Sequence, residues 1–114
     1  MLIANLNPVL FEWAIENICK NAIDASSGKG VIKISLIKRR ENTIIDIKDR
    51  GKGIVKSSFK TVFEPGYTTK TRGWGLGLSL TRRIIEQYHG GKIFVKESEI
   101  GKGTTFRVIL PLIS

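Results

Sequence analysis

ENICKNAIDA, residues 16–25, is a helix written with poor helix formers. Asn and Asp are disfavoured in helix interiors because their side chains compete for the backbone, yet two Asn stand mid-segment. Both ends nevertheless read as helix ends: Asn7 can cap, Pro8 suits the first helical position, and Ser26, Ser27 and Gly28 close the run. At 100° per residue Phe11, Ala14, Ile15, Ile18, Ala22 and Ala25 form an apolar stripe, and Asn17, Asn21 and Asp24 lie beside it within roughly 60° of one another. Three polar groups therefore converge at the margin of a core.

Beyond this helix, residues 31–38 alternate, with Ile32, Ile34 and Leu36 on one face and Lys33 and Ser35 on the other, which predicts a strand. Residues 39–42 make a short polar turn and residues 43–49 alternate again, so the two strands are expected to pair as an antiparallel hairpin. Gly51 and Gly53 break that pattern, and residues 57–63 read as a short helical turn. EPGYTTKTRGWGLG, residues 64–77, is rich in Gly and Thr with few core-type residues and reads as a long mobile loop. A second helix is expected from Leu76 or Leu78 to Tyr88, with Gly90 as its C-cap. Residues 93–97 and 104–110 form a last hairpin around Gly101 and Gly103. The pattern predicts an α+β fold: a two-layer α/β sandwich whose sheet is covered on one face by helices. There are no repeats, low-complexity tracts or linkers.

A chain of 114 residues can bury one real core and has no room for a second, so residues 1–114 are read as one domain. Hydrophobic residues make up 41% and charged residues 25%, the balance of a soluble globular protein. No apolar run is long enough to span a membrane and the amino terminus lacks a signal-peptide pattern, so a cytoplasmic setting without membrane contact is expected. A single cysteine excludes an internal disulfide and, without a Cys/His cluster, gives no support for zinc. Cys19 reads as a small core residue on the apolar side of the first helix. The net charge of +9 raises the question of nucleic acid, but the 19 basic residues are spread along the chain and the longest run is Lys38-Arg39-Arg40. A solvated basic surface that favours an anionic ligand or an acidic partner is the simpler reading, with a nucleic-acid-binding module as the alternative of another class.

Three glycine groups punctuate the chain: DRGKG at 49–53, GWGLG at 73–77 and GKG at 101–103. A P-loop requires Ser or Thr after its Gly-Lys, whereas Lys52 and Lys102 are each followed by Gly. The dinucleotide fingerprint also fails, because Leu78 follows Gly77 and no strand runs directly into Gly73. What remains is a glycine-rich loop entering a helix, which presents backbone N–H groups and the positive end of a helix dipole to phosphate.

In order, Asn17 and Asn21, then Asp49, Gly51 and Gly53 in DxGxG, FEPGYTTK, GxGLGL and GKGTTF resemble the catalytic ATP-binding domain of sensor histidine kinases. That domain belongs to the GHKL superfamily, together with gyrase-type and MutL-type ATPases, and the resemblance runs from about Pro8 to Leu112. It implies a Bergerat-type fold with a mixed sheet and ATP with Mg²⁺ as ligands. It further implies a role in two-component signalling, with the protein's own dimerisation helices and a response regulator as partners. The superfamily alternative is a serine kinase or an ATPase.

The resemblance implies that Asn21 gives a side-chain oxygen to Mg²⁺, a hard cation that takes few protein ligands when phosphates supply the rest. Asn17, one turn earlier, would face the same phosphates or the bound water. Asp49 would accept from the adenine amino group, a pairing that the guanine carbonyl oxygen opposes; in isolation an Asp before Gly is often only a turn residue. Gly51 and Gly53 would let the backbone pass close to the base and Ile54 would pack on it. Phe63 would anchor the base of a flexible lid containing Tyr67, Thr68, Thr69, Lys70 and Arg72, in which Lys70 and Arg72 are candidates to neutralise phosphate. Gly73, Gly75 and Gly77 would form the phosphate-facing turn, with Leu76 and Leu78 packing at the start of the second helix, and Trp74 either covers the nucleotide or stiffens the lid. Thr104 and Phe106 share one strand face and either line the adenine pocket or belong to the plain core.

Three departures carry weight. Gyrase-type relatives place a glutamate where Asn17 stands, so the positioned general base that hydrolysis needs is missing; this favours phosphotransfer to histidine over vigorous ATP hydrolysis. The adjacent Glu16 points about 100° away and reads as a surface residue. Asp24 stands where many histidine kinases carry Lys or Arg, and either supports Asn21 through a water network or touches the outer shell of magnesium. His89, the only histidine, precedes two glycines at a helix end and is more simply explained by the helix dipole or by packing than as a phosphoacceptor. The chain is thus expected to be a catalytic domain without the sensor and dimerisation regions, dependent on them for autophosphorylation.

Overall fold

The computed structural model describes residues 7–26, 31–65 and 77–111. Helix α1 (Pro8–Ala25) begins as its sequence requires: Asn7 is extended and its side chain accepts from the Leu10 N–H, with Pro8 in the first turn. Its stripe of Ala14, Ile18 and Ala22 is buried. Strands β1 (Lys33–Arg39) and β2 (Asn42–Lys48) form the first hairpin, joined at Arg40. Short 3₁₀ turns follow at Lys56–Ser58 and Thr61–Phe63. Helix α2 (Gly77–Arg83) runs into a π-helical turn, Ile84–Tyr88, and strands β3 (Lys92–Glu99) and β4 (Gly103–Pro111) make the second hairpin.

The two hairpins lie side by side in the order β1-β2-β4-β3. Every pairing among these strands is antiparallel, so the mixed character expected of the sheet is not seen among the described residues. Helix α1 crosses over β2 and β4, and the π-helical turn over β3. Between the layers lie Ile18, Ile45, Ile47, Ile85, Val95, Phe106 and Val108, all buried. At 25 cal/mol per Å² each such side chain contributes roughly 1.5–3 kcal/mol through its removal from water.

Strand β1 departs from its alternation in one respect. Ile34 and Leu36 pair with Ile47 and Ile45 and so share the core-facing side of the sheet, but they are 52% and 63% exposed. They stand on β1, an edge strand, where facing the core side does not bury them. On the opposite face, Arg107 of β4 grips its cross-strand partner Asp46 of β2 through Nε–Oδ1 and Nη2–Oδ2 bonds, both 2.8 Å. That fork ties one hairpin to the other.

The end of the second helix is held by His89, which is 6% exposed. Its Nε2 accepts from the backbone N–H of Asn7 at 2.9 Å, which leaves Nδ1 as the donor to the Ile84 carbonyl at 2.8 Å. Phe11 meets the ring edge-on. His89 therefore joins the start of α1 to the π-helical turn, and Gly90, at φ +64°, turns the chain into β3. The packing role expected for His89 is the one observed. Cys19 packs against the core from the edge of α1, and partial burial, aided by the nearby Glu16 charge, pushes its thiol above the ordinary range.

Candidate functional site

Asn17 and Asn21 project from the same flank of α1, half-buried. The Asn21 Nδ2 donates to the Asn17 carbonyl at 3.1 Å, so the amide nitrogen turns back toward the helix and the oxygen is the end suited to a cation. Asn17 reaches across to α2: its Nδ2 donates to the Thr81 hydroxyl at 3.0 Å, and that hydroxyl donates to the Gly77 carbonyl at 2.8 Å. A Cβ at Gly77 would stand 2.8 Å from the Asn17 amide nitrogen. The two helices approach this closely because Gly77 has no side chain. Asp24 and Glu16 are exposed.

The carboxyl-terminal end of α1 seats a second part of the site. The Lys52 N–H donates to the Ala25 carbonyl at 3.0 Å, and a Cβ at Gly51 would strike the Ala25 backbone. Directly before this contact stands Asp49, only 2% exposed. Its Oδ1 accepts from the Gly51 N–H at 2.8 Å and the Thr104 N–H at 3.3 Å, while Oδ2 takes part in neither bond. Burial pushes the Asp49 carboxyl above the usual range, and the Gly51 and Thr104 N–H groups partly oppose that rise.

The β3–β4 hairpin forms the wall beside Asp49. Thr104 returns its carbonyl to the Asp49 N–H at 2.9 Å, and the Gly101 N–H donates to the Lys52 carbonyl at 2.9 Å. Gly53, at φ +81°, passes so close to Glu99 that any Cβ would collide with its carbonyl. Ser98 is the hub: its Oγ accepts from the Ile54 N–H at 2.7 Å, lies 2.7 Å from the Thr104 hydroxyl and donates to the Gly103 carbonyl at 3.0 Å. Ile54 is partly buried against the core. Phe106 is buried and meets Phe63 edge-to-face at 6.0 Å, and the Arg82 guanidinium lies over the Phe63 ring at 5.9 Å. Phe63 is thereby joined to α2, whose Leu78 also packs against the core.

Those of the expected residues that are described lie mostly along α1, which forms a rim from the start of α2 to the Asp49 loop. Gly77 and Leu78 begin α2, Asn17 and Asn21 occupy the middle of α1, and Asp49, Gly51, Gly53, Ile54 and Thr104 gather at its far end. Phe63 and Phe106 lie beneath, in the core. Tyr67, Thr68, Thr69, Lys70, Arg72, Gly73, Trp74, Gly75 and Leu76 lie outside the described residues. Ser98 and Thr81 were missed by sequence reasoning. The position of Ser98, one residue out of phase with the hydrophobic members of β3, was the available signal. Thr81 offered another, as a lone hydroxyl on the apolar side of a helix.

Residues 7–114 match the family described as histidine kinase-, DNA gyrase B- and HSP90-like ATPase, and the chain belongs to that family. It is 43% identical over 96 residues to sporulation kinase C of Bacillus subtilis, covering 84% of this chain and 22% of that protein. Over another 96 residues it is 42% identical to the sensor histidine kinase ZraS of Escherichia coli, again with 84% of this chain but 20% of the relative covered. The chain therefore spans about a fifth of these relatives. Among solved structures, the catalytic domain of histidine kinase ThkA superposes with a TM-score of 0.83 at 32% identity, covering 95% of this chain and 70% of that one. The mycobacterial sensor histidine kinase MprB gives 0.85 at 25% identity over 96% of this chain and 74% of that one. The fold is accordingly the α+β sandwich of histidine kinase catalytic domains.

Proposed function

We propose that this domain binds Mg²⁺–ATP along the α1 rim and, within a sensor kinase of the two-component type, presents the γ-phosphoryl group to a histidine on a dimerisation helix. The observation that carries the reading is that one helix seats both ends of the rim. Its middle turn holds amides against the start of α2, and its last residues hold the Asp49 loop. Adenine belongs at Asp49, where Oδ2 is the acceptor for the amino group; guanine would set a carbonyl oxygen against it. An unpaired buried acceptor costs about 1–3 kcal/mol, enough to separate the two bases.

The donor set fits magnesium rather than a metal held by a protein cage. Among the described residues no group of three or more His, Cys, Asp or Glu could hold an ion, whereas Asn21 presents an amide oxygen that adds no negative charge beside polyphosphate. Asn21 would hold the ion, which supplies charge neutralisation between the phosphates when bound. Lys70 and Arg72 are assigned to the remaining phosphate charge, and the backbone N–H groups at Gly73, Gly75 and Gly77 to the phosphate oxygens. The chain's own contribution to phosphotransfer is then positioning and neutralisation. A histidine nucleophile brings its own lone pair, so an amide at Asn17 in place of a general base is compatible with the reaction.

The dimerisation and phosphoacceptor helices, a downstream response regulator and a cytoplasmic location are proposals for the whole protein; no helix among the described residues is long and apolar enough to cross a membrane. Incubation with γ-labelled ATP and a histidine-containing dimerisation fragment tests the reaction. Acid-labile, base-stable label on the fragment is expected. Acid-stable label would assign the domain to serine phosphorylation instead, and binding of nucleic acid that ATP does not displace would replace the kinase reading altogether.

A further inference from the structure

Thr81 is fully buried, at 0% exposure, on the side of α2 that meets α1. A hydroxyl in such a place costs free energy unless both its proton and its lone pairs are used. Here both are used. The proton goes to the Gly77 carbonyl one turn earlier, at 2.8 Å, which aims the oxygen lone pairs at the Asn17 amide nitrogen, 3.0 Å away. Asn17 in turn offers its backbone carbonyl to the Asn21 amide. The result is a relay of three hydrogen bonds from the first residue of α2, through Thr81 and Asn17, to Asn21.

We propose that Thr81 is a positioning residue for the metal–phosphate end of the nucleotide site. Its hydroxyl fixes which end of the Asn17 amide faces α2 and holds the Asn17–Asn21 turn at a set distance from Gly77. The relay has a directional logic. Because the Thr81 proton is committed to Gly77, Thr81 accepts from Asn17, and the Asn17 amide cannot reverse without setting its oxygen against those lone pairs. The bond from Thr81 to the Gly77 carbonyl pins the first residue of α2. Asp49 and its partners at the other end of α1 are not members of the relay, so the base-reading end is independent of it.

This inference rests on the nucleotide-binding reading above, and its test separates the two. Thr81→Val keeps the shape of the side chain and removes the hydroxyl; Thr81→Ser keeps the hydroxyl. In calorimetric titrations Thr81→Val is expected to weaken Mg²⁺–ATP binding about 5- to 20-fold, the effect of losing the hydrogen bond that orients the half-buried Asn17 amide toward the bound state. Binding of adenosine, followed by NMR, is expected to change by less than about twofold, and Thr81→Ser to restore Mg²⁺–ATP binding to within about twofold. The Asn17 side-chain amide resonances should shift in Thr81→Val and return in Thr81→Ser. If Thr81→Val does not fold, Thr81→Ala compared with Thr81→Ser isolates the same hydroxyl. Equal losses of adenosine and Mg²⁺–ATP would reduce Thr81 to a structural residue and overturn the inference. So would Thr81→Val binding Mg²⁺–ATP as the unaltered protein does. An unaltered protein that binds no adenine nucleotide would overturn the underlying reading, and the inference with it.

Discussion

At Asp49 a buried carboxylate accepts two backbone N–H groups through one oxygen, and burial still raises its pKa. Two pH effects follow. With Oδ1 taken by two N–H groups, a proton on the carboxyl sits on Oδ2 and makes it a poorer acceptor for an adenine amino group, so adenine-nucleotide affinity should fall as pH is lowered through the raised pKa. Asp49→Asn should remove that step, which a comparison of the two binding profiles by calorimetry checks. The effect on folding has the opposite sign. The native state holds this proton more tightly than the unfolded chain, so Asp49 costs the ligand-free protein stability as pH rises from about 4 through the raised value. The role proposed for Asp49 came from the resemblance, since an Asp before Gly taken alone is often a turn residue; the bonds of Ser98 to Ile54, Gly103 and Thr104 depend on long-range packing that the strand pattern only hints at. Asn17 shows the same limit: its position on the helix was legible, whereas its bond to a residue 64 positions away depends on how closely two helices approach.

Among the elements, the β3–β4 hairpin depends on Gly103, which has a φ of +129° and lies against the Asp49 carbonyl. Gly103→Ala would meet both backbone strain and that carbonyl. It should destabilise the fold by about 2–4 kcal/mol in urea unfolding and separate the hairpin from the Asp49 loop, so nucleotide binding should weaken as well. Periodicity revealed both hairpins, the amino-terminal cap of α1 and the Gly90 turn, since these follow from local chemistry. It did not reveal that Ile34 and Leu36 remain exposed, because alternation specifies the face of a strand and not its rank in the sheet. Nor did it indicate the π-helical turn. That feature accompanies the long-range bond between His89 and Asn7, which no local pattern contains.

For the whole molecule, the join between the hairpins carries an electrostatic signature. The Arg107 fork, more than its charge alone, holds the Asp46 carboxyl below the usual range, with Lys96 a smaller contributor. A depressed native pKa contributes stability that is present above the unfolded value near 4 and is lost as pH falls through the native one. Chemical unfolding across acid pH should show that loss, and Asp46→Asn should flatten it; an unchanged profile would mean that the fork does not couple the hairpins. In the proposed site, one helix positions an adenine reader at its end and a magnesium–phosphate reader at its middle. Calorimetric titration of the domain with ATP and GTP, each with and without magnesium, probes both readers at once. The expected result is saturable ATP binding strengthened by magnesium and GTP binding at least about tenfold weaker, the ratio that a 1.4 kcal/mol penalty at Asp49 gives. Equal affinity for ATP and GTP, or ATP binding indifferent to magnesium, would contradict it.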